Sequence, residues 1–146
     1  MNFGIIPASF APYMLSLSRI VVGLLFMEHG TGKILNFPPI HEASAKVLGS
    51  GLLYFTGTIE LVGGALIVLG LFTRPVAFVL AGFMAYAFWG VHYMMGGLYP
   101  VLNGGEAAVL YCFAFLYYAT AGAGPISVDA LAGSPSGSAS PALTRN

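Results

Sequence analysis

Charge is scarce in this chain: of 146 residues, five are Lys or Arg and five are Asp or Glu, 7% together, and the formal net charge is zero. Without a basic run there is neither the phosphate footprint of a nucleic-acid binder nor a polybasic patch for anionic lipid, so nucleic acid is excluded as a partner. Cysteine is nearly absent. Cys112 stands alone inside an apolar run, which rules out an internal disulfide, a CxxC pair and a thiolate metal cage. Any redox chemistry associated with the chain is therefore not carried by its own thiols. A dinucleotide fingerprint and a haem-attachment motif are also missing, which argues against a self-contained oxidoreductase. The opening MNFGIIPASFAPYM has no basic region of the secretory-signal kind, and the apolar segment after it outruns a signal core, so this segment is expected to be retained.

What the chain has in excess is apolar surface, with 58% hydrophobic and 14% aromatic residues. A water-soluble domain does not reach such values, and the sequence predicts an all-α integral membrane protein. Four stretches are long enough for a bilayer core of about 30 Å: 12–32, 48–72, 75–97 and 106–122. Pro12 suits a helix start, while Gly30 and Gly32 lie near the end of the first stretch. Polar and turn-forming residues separate the stretches: Thr31 to Lys46 with Pro38 and Pro39, the Thr73-Arg74 link, and Leu98 to Gly105 with Tyr99-Pro100 and Asn103-Gly104-Gly105. Links this short predict a four-transmembrane-helix, up-down bundle. Residues 1–131 are expected to form that domain. Residues 132–146, rich in Ser, Pro and small side chains, are expected to be a disordered tail. Lys33 and Lys46 on one side balance Arg74 and Arg145 on the other, so the positive-inside rule chooses no orientation.

Charged groups within a span cost at least about 2.5 kcal/mol each at the bilayer centre and should face partners inside the bundle. At 100° per residue, Arg19, Gly23, Phe26, Gly30 and Lys33 share a stripe of helix 1, and Thr56, Gly57, Glu60 and Gly64 share one of helix 2. Counting depth at about 1.5 Å per residue brings Arg19 and Glu60 together near mid-bilayer, with Tyr117 as a third member of a buried charged centre. That centre is either a structural ion pair or a functional one. Antiparallel topology brings the end of helix 1, the end of helix 3 and the start of helix 4 to the opposite face. There His29, His92 and Glu106 converge, with Lys33 beside them, as a candidate ligand or proton site. Two imidazoles and a carboxylate can relay protons, hydrogen-bond a polar head such as that of a quinone, or, as His29, His92 and Glu106, hold a metal. Each of them also suits a helix end among lipid headgroups. Met94 and Met95 beside His92 are read as core filler rather than copper ligands.

The runs RIVVGLLFMEHGTGK, ELVGGALIVLGLFTR, HYMMGGLYPVLNGGEAAVLY and GAGPISVD, in that order from Arg19 to Asp129, resemble the DoxX family of small bacterial and archaeal membrane proteins. Position by position the resemblance falls on Arg19, Gly23, His29, Gly30 and Lys33, then Glu60, Gly63 and Gly64, then Asn103, Gly104, Gly105 and Glu106, and it implies Asn103 as a fifth member of the candidate ligand or proton site. It implies four membrane helices in the cell (inner) membrane, cytoplasmic termini, and an association with quinone or with other membrane redox subunits. No cofactor is identified by the residues themselves. Three functions are carried forward: an accessory or quinone-associated subunit of a membrane redox system; a non-enzymatic scaffold or assembly factor; and, third, a transporter of a small solute or protons, with a homo-oligomer building the path between protomers.

Overall fold

The computed structural model describes residues 7–39 and 42–133. Residues 134–146, where most of the expected tail falls, lie outside the described residues. Among the described residues there is no strand. A single 3₁₀ turn, Ala8–Phe10, leads into helix α1, Ala11–Leu35, with Pro12 in the first turn, where its missing N–H has no partner to lose. Asn36, left-handed at φ 53°, ends α1 with its N–H on the Thr31 carbonyl. Helix α2, Glu42–Leu69, breaks at Gly49 (φ 67°, ψ 160°). Gly70 and Phe72, both at positive φ, then reverse the chain into α3, Thr73–Ala87. A π-helical turn, Phe88–His92, carries α3 into the short α4, Tyr93–Gly96. The one-turn α5, Pro100–Asn103, precedes α6, Glu106–Ala121, and the one-turn α7, Val128–Leu131, ends the described chain.

Among the described residues three stretches are long and apolar enough to cross a membrane: Ala8–Leu35, Gly51–Leu69 and Thr73–Gly96. The fourth apolar helix, α6, has 16 residues and spans roughly 24 Å. Outward-facing Leu17, Val21, Leu25, Val62, Phe78, Val79, Leu110 and Phe113 are exposed. A continuous apolar exterior of this kind fits hydrocarbon rather than water.

The helices associate as two antiparallel pairs, α1 with α2 and α3 with α6, and the seams between the pairs are thinner. The first pair is close because glycines face glycines seven residues apart: Gly23 opposes Gly64, and Gly30 opposes Gly57. A methyl group at Gly30 would stand 2.4 Å from the Leu61 backbone nitrogen. Lipid is as apolar as leucine, so helices in a bilayer gain by such contact rather than by escaping water. The second pair buries Ala77, Leu80, Ala81 and Met84 with Phe115 and Tyr118. Phe26 of α1 joins the two pairs, edge-on to Phe115 and Tyr111 of α6 with ring centroids 4.9 and 5.3 Å away.

Candidate functional site

The expected centre of Arg19, Glu60 and Tyr117 is not assembled. The Arg19 side chain is fully buried and donates only to backbone carbonyls. Nε reaches Ala123 at 2.9 Å, Nη1 reaches Ile67 and Val68, and Nη2 reaches Ile126. The Ile67 and Val68 carbonyls belong to the last turn of α2; Ile67 also accepts from the Gly70 N–H at 3.1 Å, and a cation there meets the negative end of the helix dipole. Tyr117 is 56% exposed, and its neighbour Tyr118, at 2%, is the tyrosine that enters the core. One residue is 100° on a helix, so a wheel anchored on the exposed Glu106 selected the wrong ring.

Arg19 instead anchors the segment after α6, which folds as a strap across the end of the bundle. The Ile126 N–H donates to Ser16 Oγ at 3.1 Å, and the Asp129 N–H donates to the Gly70 carbonyl at 2.9 Å. Asp129 in turn accepts from the Phe72 and Thr73 N–H groups, both at 2.8 Å, and so caps α3. Partial burial alone would raise the Asp129 pKa. Hydrogen bonds from Thr73 and Phe72 and the nearby Arg19 charge outweigh it and hold the carboxyl below its ordinary value. Gly70 and Gly124 are at positive φ, and a side chain at either would strike the strap or α1: Ser127 Cβ at 2.5 Å and Ser16 Oγ at 2.3 Å.

Glu60 pairs with Lys33 rather than Arg19, Nζ to Oε1 at 2.6 Å, and Lys33 also donates to Thr56 Oγ1 at 3.4 Å. The depth count failed because it set Leu48 level with Lys33. Lys33 lies beside Gly57, nine residues beyond Leu48 and so about two and a half turns further along α2 than that count assumed. Glu60 is therefore drawn to the same end of the bundle as the histidines.

That end contains a cavity of about 410 Å³ between the two helix pairs. All four long helices line it: Phe26, His29 and Lys33 from α1; Leu52, Thr56 and Glu60 from α2; Phe83, Met84, Tyr86 and Ala87 from α3; and Ala107, Ala108 and Tyr111 from α6. Val91, His92, Met95, Asn103 and Gly104 complete the wall. Four of the five residues expected at this face, His29, Lys33, His92 and Asn103, thus border one space. Glu106 does not; it is exposed at the first turn of α6. With Glu106 outside the cavity, the metal set His29, His92 and Glu106 is not brought together. Among the described residues no group of three or more His, Cys, Asp or Glu is placed to hold a metal ion.

Local backbone explains how each side chain arrives. The π turn at Phe88–His92 inserts extra residues into the helical register and re-aims the side chains C-terminal to it, a device frequent at functional sites. His92 Nδ1 lies 3.1 Å from the Asn103 carbonyl oxygen. The Asn103 side chain is used internally, its Nδ2 donating to the Gly97 carbonyl at 2.7 Å and its Oδ1 accepting from the Gly105 N–H at 2.8 Å. Asn103 is thus a positioning residue for His92. His29 stands edge-on to Tyr111, 5.9 Å between ring centroids. Sequence reasoning missed the Lys33–Glu60 pair and the walls Thr56, Phe83 and Tyr111. The opposite charges of Lys33 and Glu60, each on a glycine-bearing stripe, were the available signal for the pair.

Apolar spans on an all-helical frame, with a polar-ended cavity enclosed between helix pairs, define a small multi-pass membrane protein. The DoxX family model matches residues 14–93, and the chain belongs to the DoxX family. An uncharacterised protein of Haemophilus influenzae is similar to it, 43% identical over 122 residues that cover 82% of this chain and 91% of the relative. No solved structure matches it.

Proposed function

We propose that the cavity receives the head of a small membrane-dissolved molecule of the quinone class, and that the chain serves as an accessory, quinone-associated subunit of a membrane redox system. The observation that carries this reading is the cavity itself: aromatic and aliphatic walls from four helices, with Lys33, Glu60, His29 and His92 gathered at one end of the bundle. A few convergent polar groups in an apolar recess are the usual anatomy of a small-molecule site. DoxX membership supports the membrane setting. The electrons would come from or go to a partner, because the sequence holds no motif for a redox cofactor of its own. In this reading α6 is a fourth span, residues 1–131 are one four-helix up-down domain followed by a tail, the membrane is the inner membrane, and both termini are cytoplasmic. The cavity then opens toward the outer face.

The test is mass spectrometry of gently extracted protein for bound isoprenoid quinone in either redox state and for stoichiometric partner subunits, beside His92→Ala. Retention of quinone by the parent and its loss from a folded His92→Ala variant is the expected result. A partner polypeptide without any bound small molecule would favour the scaffold reading instead.

A further inference from the structure

The cavity wall includes groups that can donate, Tyr86, Tyr111 and the third Lys33 N–H. A hydroxyl oxygen accepts from these as a quinone carbonyl does, so what tells the two apart is an acceptor left without a donor. Glu60 is 5% exposed. Its Oε1 is held by Lys33, while among the described residues no donor reaches Oε2, which is fully buried. Lys33 directs two of its three N–H donors to Glu60 and Thr56. At His92, a carbonyl oxygen has no hydrogen to give, so Nδ1 must carry the one shared with Asn103. With that hydrogen on Nδ1, the tautomer presents Nε2 as a second acceptor. The Asn103 amide, which could have supplied donors, is closed on the backbone of Gly97 and Gly105. A buried acceptor with no donor is costly to leave unmet.

From these groups we infer that the cavity selects a ligand head carrying hydroxyl hydrogens, a hydroquinone or similar phenol, over the corresponding quinone, and that the Glu60 carboxylate reads the difference, Oε2 turning out of its covered position to meet the head. A quinone has only carbonyl oxygens, and against Oε2 it would set lone pair to lone pair. A hydroquinone of the same ring donates there, in a charge-assisted bond of the stronger kind. The inference rests on the cavity reading above and adds to it which form the cavity holds. No chemistry in the cavity is required, only binding.

Glu60→Gln gives the selection a sharp signature. Lys33 donates and cannot accept, so it will hold the glutamine oxygen in place of Oε1 and turn the amide N–H₂ into the position of Oε2. The acceptor becomes a donor, and the preference should invert.

The experiment measures binding of three short-tailed probes to detergent-solubilised protein: a hydroquinone kept reduced, its quinone, and the hydroquinone dimethyl ether, which keeps the ring and has no donor. The expected result is hydroquinone bound about tenfold tighter than either of the others, as one charge-assisted hydrogen bond implies, with quinone favoured in Glu60→Gln. Should that variant not fold, Lys33→Met combined with Glu60→Gln strands no charge and should erase the preference. Quinone bound as tightly as hydroquinone by the parent overturns the inference while leaving the cavity reading intact. Binding of none of the three overturns both. An unchanged hydroquinone preference in either variant removes Glu60 from the role.

Discussion

Lys33 and Glu60 show how far a buried charge depends on its partner. Each is tolerated in the bundle only because the other is 2.6 Å away, and a lone charge buried after loss of its partner costs about 3–5 kcal/mol. Lys33→Ala is therefore expected to lower the melting temperature in detergent steeply. Lys33→Met with Glu60→Leu should recover most of the loss, because no charge is then stranded; a double variant no better than the single would sink this account. At the same scale, Arg19→Lys should destabilise although the charge is kept, since one ammonium cannot fan out to four carbonyls on two segments. Arg19 was legible in the sequence as a buried charge but its partners were not. Every residue has a carbonyl, so nothing in the composition marks Ile67, Val68, Ala123 and Ile126 as acceptors. A carboxylate is visible, and Glu60 was matched to the wrong cation for that reason.

At the scale of elements, glycine placement separates close helix contacts from open ones. Gly30→Ala forces a methyl group against the α2 backbone and should cost about 1–3 kcal/mol as an overpacked contact. Gly82→Ala, with nothing within 4 Å, is expected to stabilise α3 by up to about 1 kcal/mol because alanine is the better helix former. Melting curves of the two variants side by side check the sign of each. The strap adds a pH dependence. Asp129 titrates lower in the folded chain than in the unfolded one, so its contribution is fully present above the unfolded value of about 3.9. It is lost as pH falls through the folded value. Asp129→Asn should be less stable at neutral pH and show a flatter acid limb; an acid limb unchanged from the parent would remove Asp129 from the cap.

Helical stripes locate buried faces where a helix is straight. The Arg19, Gly23, Phe26 and Gly30 face of α1 is the buried one, as a 3.6-residue period demands. They mislead where register is altered or a surface position serves as the reference. The offset of α2 at Lys33 displaced every depth count, and the π turn at Phe88–His92 has no marker in FWGVH. The strap was equally hidden. GAGPISVD reads as a loop, and its order comes from distant residues, Ser16, Arg19 and Gly70.

On the scale of the whole molecule, the apolar runs located every long helix, because bilayer thickness sets span length and composition records it directly. Three spans meet that length, whereas α6 is short at 16 residues. Orientation was not legible, the basic residues being tied across the two faces. In a Cys112→Ala background, Glu106→Cys should react with a membrane-impermeant maleimide added to intact cells and Arg74→Cys should not. The reverse pattern would place both termini outside.

Among the described residues, the hydrogen bonds that tie the two helix pairs to each other lie at one end. Arg19, Ser16 and Asp129 knit the strap, α1, α2 and α3 together, while the opposite end encloses the cavity and is joined mainly by side chains. If the cavity takes a ligand as proposed, such a bundle would work as a clothes-peg, its pivot at the strap and its jaws at His29 and His92, and a guest dissolved in lipid would enter sideways between the pairs. Amide exchange should accordingly be slowest around Ser16–Gly23 and Val68–Thr73 and faster beside the cavity, and strap substitutions should change the rate at which a ligand comes and goes without touching it.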